Sequence, residues 1–180
     1  MLGILGRSIR YAKAITLTTA ALLLGVSCGE QRATAPQSSS SRSENSKLSL
    51  VECPTNETLT TTALVGLLGG TVQLGATSIT IPSGALTAPT LIQITIPASQ
   101  YMEIDVSAVG FASFVFQQPV TVTLDYSRCS RSNIDQQPLE VWHIDATTKE
   151  LLENMSGVDD KSARSITFTT GHLSGYAVAN

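Results

Sequence analysis

The sequence predicts an all-β domain, an antiparallel β-sandwich carried behind a signal peptide and a disordered tether. Three observations lead there. From Gly69 onward, apolar residues recur at every second position in short runs, the period of a strand with one face buried. Gly, Pro, Asp and Ser separate those runs at short intervals, and no helical period is sustained between them. The third observation is the closing stretch from Ile166 to Asn180, where Ile166/Phe168 and Tyr176/Val178 alternate on either side of Gly171-His-Leu-Ser-Gly175. One strand runs into a corner there and leaves it as another. A sheet completed by such a segment needs the earlier strands in place to receive it, so 65–180 reads as one domain.

Taken in order, the chain opens with Arg7, Arg10 and Lys13 ahead of an apolar, Thr/Ala/Leu-rich core from Ala14 to Val26. That is the layout of a secretory signal, here 1–27, and the core falls short of the roughly 20 apolar residues a membrane span takes. Leu22-Leu-Leu-Gly-Val-Ser-Cys28 looks like a bacterial lipobox, with small Ser27 before the cut and Cys28 as the thiol to be acylated. Gly25 stands where such boxes usually carry an aliphatic residue, and processing by an ordinary signal peptidase, which would give a secreted protein, is the alternative. Gly29 directly after Cys28 resembles sorting to the outer membrane, if the cell is Gram-negative. The location expected is therefore extracytoplasmic and membrane-anchored.

A cut before Cys28 removes three of the 11 basic groups and none of the 14 acidic ones, so the net charge moves from −3 to −6. Polyanion binding rests on clustered Lys and Arg, and no such cluster exists, which excludes nucleic acid as an expected partner. Residues 28–64 are rich in Ser, Thr, Gln and Asn and include Ser38-Ser-Ser-Ser41. Such a stretch does not offset its ordering entropy and reads as a flexible tether, with a short edge strand at Leu48-Ser-Leu-Val51 and a short helix over Thr60–Leu68 as local options. Cys53 and Cys129 remain in an exported chain, where disulfides persist. They are expected to pair, two separate thiols being the alternative, and so long a closed loop is worth on the order of 4–5 kcal/mol.

The strands follow. Thr71-Val-Gln-Leu74 and Ser78-Ile-Thr-Ile81 come first, then Pro82-Ser-Gly-Ala-Leu86 turns a corner. Leu91 to Ile96 places Ile92, Ile94 and Ile96 on one face. After Phe114-Val-Phe116, Val120, Val122, Leu124 and Tyr126 alternate with Thr121, Thr123 and Asp125, the clearest half-buried strand. Leu139–Asp145 and Lys149–Glu153 form a hairpin around Ala146-Thr-Thr, with Trp142 and Ile144 on one face. Val158-Asp-Asp-Lys161 turns into the final pair. The core expected from this reading is Ile79, Ile81, Ile92, Ile94, Ile96, Phe116, Val120, Val122, Leu124, Val141, Ile166, Phe168 and Val178.

Val65-Gly-Leu-Leu-Gly-Gly-Thr-Val72, Ile81-Pro-Ser-Gly-Ala-Leu86, Phe116-Gln-Gln-Pro-Val-Thr-Val-Thr-Leu124 and His172-Leu-Ser-Gly-Tyr-Ala-Val178 occur in the order and at about the separations of the ZU-five domain. In these four motifs 65–180 resembles that family, an all-β module of netrin receptors, ankyrins, tight-junction proteins and death-domain adaptors. The resemblance implies a β-sandwich that serves protein–protein interaction. It also singles out His172-Leu173-Ser174, which is similar to the autoproteolytic His-Phe-Ser of some ZU-five domains. The likeness would have His172 take the Ser174 proton and Ser174 Oγ attack the carbonyl of Leu173, with strain at Gly175 assisting.

Conventional chemistry has few groups to draw on. The chain has two histidines; His143 shares a strand face with Asp145, which would make a hydrogen-bonded pair, and a structural role is expected with no second metal ligand in view. Asp159-Asp160 lacks the further oxygens of a calcium loop. Trp142, Tyr101, Tyr126 and Tyr176 are read as packing rings rather than a sugar platform. No phosphate-binding loop, metal set or cofactor motif is present in the spacing, and no enzyme is expected beyond the self-cleavage candidate. Three functions result: a lipid-anchored envelope module that binds or scaffolds a protein partner, a structural envelope component without ligand, and a self-cleaving module.

Overall fold

A computed structural model describes residues 48–130, 134 and 136–180. The signal peptide, Cys28 and the tether as far as residue 47 lie outside the described residues. Among the described residues thirteen strands occur: β1 (Glu52–Thr55), β2 (Leu59–Val65), β3 (Gly70–Leu74), β4 (Thr77–Ile81), β5 (Thr90–Ile96), β6 (Ser99–Tyr101), β7 (Glu103–Ala108), β8 (Val115–Asp125), β9 (Glu140–Ile144), β10 (Leu151–Ser156), β11 (Val158–Asp160), β12 (Ser165–His172) and β13 (Gly175–Ala179).

They form a six-stranded sheet in the order β10-β9-β13-β7-β5-β2, a five-stranded sheet in the order β11-β12-β8-β4-β3, and a small β1-β6 ribbon. Every pairing is antiparallel. The protein is thus an all-β antiparallel sandwich, and the side-chain alternation explains its two layers. In β8, Val120, Val122 and Leu124 are buried while the residues between them are half exposed, and β5 buries Ile92, Ile94 and Ile96 in the same way. Each inward set is useful only against the other, so the sheets stack on their apolar faces. All thirteen residues expected in the core are buried.

β13 lies between β9 and β7, and all five of its residues are buried. Beyond Glu103, the first residue of β7, the chain before β1 takes its place: Val51 N donates to Val178 O at 2.9 Å and Asn180 N to Ser49 O at 3.0 Å. Both edges of the closing strand are therefore hydrogen-bonded along its length, as an interior strand requires.

Four expectations need correction. Ordered structure begins before residue 65, because β1 and β2 belong to the domain. β2 pairs with β5 without interruption from Leu59↔Ile96 to Val65↔Thr90, which also rules out a helix over Thr60–Leu68. Its threonines look like tether composition, yet they are β-branched and suit a strand whose outer face is wet. β7 was not anticipated, although Ile104, Val106 and Ala108 alternate with Glu103, Asp105 and Ser107. The acidic pair disguised it, and Glu103 is in fact buried, held by Lys149 Nζ at 2.6 Å. Lys149 itself sits in the turn at φ 61°, and β10 starts later, at Leu151.

Cys53 on β1 and Cys129 after β8 are joined by a disulfide with a Cα–Cα distance of 4.8 Å. Both are buried, with Met102 Sδ 3.7 Å from Cys129 Sγ.

Candidate functional site

The chain crosses from the five-stranded to the six-stranded sheet between His172, the last residue of β12, and Gly175, the first of β13. Strand register decides what meets that crossing. The β9-β10 hairpin sets Glu153 opposite His143, and the β9-β13 pairing sets Tyr176 opposite the same His143. Directly opposed residues share a sheet face, so Glu153, His143 and Tyr176 stand in a row on one side. β12 arrives from the other sheet and delivers His172 to that row. The two imidazole rings lie 5.1 Å apart between centroids.

Within the cluster, Ser174 Oγ is 2.7 Å from His143 Nε2. Tyr176 Oη donates to His172 O at 2.5 Å, lies 3.0 Å from Thr170 Oγ1 and 3.5 Å from His172 Nδ1. Glu153 Oε2 stands 3.8 Å from His172 Nε2. One ligand atom from each of His143, Glu153 and His172 fits within 4.8 Å of the others. Burial pushes the His143 pKa down, the neighbouring His172 pushes it further, and Glu153 opposes both. Burial also raises the Tyr176 pKa, to about 12.

Beside this cluster a cleft of 310 Å³ opens, lined by Phe111, Phe114, Leu152 and Leu173 and, over most of its surface, by polar groups that include Asp105, His143, Asp145 and Ser174. Phe111 and Phe114 meet edge to face at 5.5 Å, and Phe111 remains 58 % exposed.

The structure rearranges the site expected from sequence. Ser174 Oγ makes its hydrogen bond to His143 Nε2 rather than to His172, the histidine expected beside it. Leaving Nε2 unprotonated, the hydroxyl would donate to it, the arrangement of a nucleophile and its base. Gly175 is not in the left-handed region, and a Cβ added there would meet only ordinary van der Waals neighbours, the nearest at 3.5 Å; the anticipated strain is absent. The expected His143–Asp145 pair does not form. Asp145 Oδ1 instead accepts from the amides of Thr147 and Thr148 at 2.8 and 2.7 Å, which cap the hairpin turn and lower its pKa. Asp159 receives the Tyr126 hydroxyl at 2.6 Å and pairs with Lys161 at 2.8 Å, so it ties β11 to the core rather than standing free in a turn. Tyr126 and Tyr176 are buried, which removes them from any ligand platform. Cys28 lies outside the described residues.

Glu153 went unnoticed in the sequence. The available signal was the hairpin itself, whose pairing puts a carboxylate across from one of only two histidines.

The fold and this cluster define an antiparallel β-sandwich with a His/His/Glu/Ser constellation where its sheets join. No model of a known protein family matches the chain, and no curated protein matches it either.

Proposed function

We propose that this protein is a lipid-anchored module of the cell envelope that binds a protein partner through the cleft beside Ser174. The observation that carries the reading is the cleft's make-up: exposed Phe111 and Leu152 stand beside a mostly polar lining that includes Asp105, His143, Asp145 and Ser174, an aromatic anchor among hydrogen-bonding groups such as protein interfaces use. The exported location is supported by the signal and lipobox-like stretch ending at Cys28, and by the Cys53–Cys129 bond, which suits an oxidising compartment. The likeness of four motifs to the ZU-five domain supports interaction rather than turnover.

Two measurements test it. Wild type should enter the detergent phase and take up a fatty-acid analogue, while Cys28→Ser should do neither. Native crosslinking in envelopes should give a discrete adduct that Phe111→Asp abolishes. An unlabelled wild type sinks the anchor, and an adduct indifferent to Phe111→Asp sinks the cleft.

A second reading, hydrolysis of the Leu173–Ser174 bond by Ser174, is favoured by the 2.7 Å contact with His143. Intact mass in denaturant decides it, because a cut strand 174–180 would stay hydrogen-bonded under native conditions. Cleavage should vanish in Ser174→Ala and His143→Ala; a wild-type mass that retains residues 174–180 after long incubation excludes it.

A further inference from the structure

The geometry points to a divalent transition-metal site of the zinc class, formed by His143, Glu153 and His172 at the edge where the two sheets meet. It rests on the cluster alone and stands or falls separately from the binding cleft.

The two histidines of this chain come from different sheets, on β9 and β12, yet their rings lie 5.1 Å apart and both face one carboxylate. In a tetrahedral zinc site with bonds of about 2.1 Å, ligand atoms are about 3.4 Å from one another. The His172 Nε2–Glu153 Oε2 distance of 3.8 Å is already close to this. The widest separation, 4.8 Å, must close by about 1.4 Å on metal binding. Of the three, Glu153 is the freest to adjust by side-chain rotation, since it sits on an edge strand and its side chain is 62 % exposed.

The surroundings also suit ligation. Metal-bound imidazoles are oriented by a partner on the remaining ring nitrogen. Tyr176 Oη stands 3.5 Å from His172 Nδ1, and Ser174 Oγ stands 2.7 Å from His143 Nε2. Two imidazoles with one carboxylate favour Zn²⁺, Co²⁺ or Ni²⁺ over Mg²⁺ and Ca²⁺, which prefer all-oxygen shells. Three protein ligands leave a fourth position for water. The bound ion would clasp the β9-β10 hairpin of one sheet to the end of β12 in the other.

The test uses the full chain in detergent, without a histidine tag and stripped by chelator. Zn²⁺ and Co²⁺ are titrated by calorimetry, Co²⁺ also by its visible absorption, with Mg²⁺ and Ca²⁺ as controls. One equivalent of Zn²⁺ or Co²⁺ should bind, with visible bands characteristic of nitrogen and oxygen ligands, and the controls should not. Glu153→Gln, at an exposed side chain that leaves the fold intact, should weaken binding by at least about 10-fold, and Ser174→Ala by about 10-fold as the loss of an orienting partner. His172→Gln should abolish it. Absence of heat and of bands overturns the site, and so does binding of equal affinity in Glu153→Gln and His172→Gln, which would locate the ion elsewhere.

Discussion

Replacing both Cys53 and Cys129 by alanine should cost 3–5 kcal/mol, by the chain-entropy argument for cross-links. The bridge joins positions 76 residues apart. For a loop of that length the entropy removed from the unfolded chain is about 15 cal/mol/K, or about 4.5 kcal/mol at 25 °C. Two corrections act in opposite directions. The sulfurs are buried, Cys53 at 1 % and Cys129 at 5 % exposure, so deleting them also leaves a small cavity against Met102. A compact unfolded ensemble, on the other hand, gains less entropy than the ideal chain. The assay is urea unfolding of wild type and the double variant, both carrying Cys28→Ser so that only this pair differs. The midpoint should fall, the melting temperature should drop by about 10–20 °C, and the m-value should rise as the unfolded chain expands. A loss below about 1 kcal/mol would refute the cross-link as a stabiliser of this sandwich.

Val122→Ala should cost about 2–3 kcal/mol, because Val122 is buried at the centre of its sheet with Phe168 and Ile79 opposite it on the flanking strands; an unchanged urea midpoint would mean the register is wrong. Gly69→Ala should be far more damaging than Gly75→Ala. Both glycines have positive φ, but a Cβ at Gly69 would overlap the Ile81 carbonyl oxygen while Gly75 faces open space, so Gly75→Ala should cost only about 1–2 kcal/mol for the left-handed backbone and equal melts would contradict the turn. Tyr176, with its pKa raised from 10 to about 12, contributes stability that is complete below pH 10 and is lost as pH climbs through about 12. The fold should therefore weaken by about 3 kcal/mol across that window, less so in Tyr176→Phe, and a wild type whose stability matches the variant's over pH 10–12 would show the hydroxyl is not buried.

Much of the fold was legible because period-two alternation is a local property. Ile92, Ile94 and Ile96, or Val120, Val122 and Leu124, announce both the strand and its inward face whatever they pair with. Turn chemistry marked the β9-β10 hairpin equally well. β2 and β7 were harder to see for opposite reasons: threonines made one look like linker, and buried Glu103 made the other look like surface. Burial of that carboxylate is tolerable only because Lys149, 46 residues away, reaches it.

By itself, then, the sequence determined the all-β class, the faces of its strongest strands and the core they build, since each depends on neighbours within a few residues. The tertiary structure alone decided that β13 lies between β9 and β7, that Ser174 meets His143 instead of His172, and that His143, Glu153 and His172 converge. Those relations depend on register between strands that are distant in the chain, and the free energy selecting a register comes from closing both apolar faces at once. No short stretch of residues carries that information, because it exists only when the two sheets are packed.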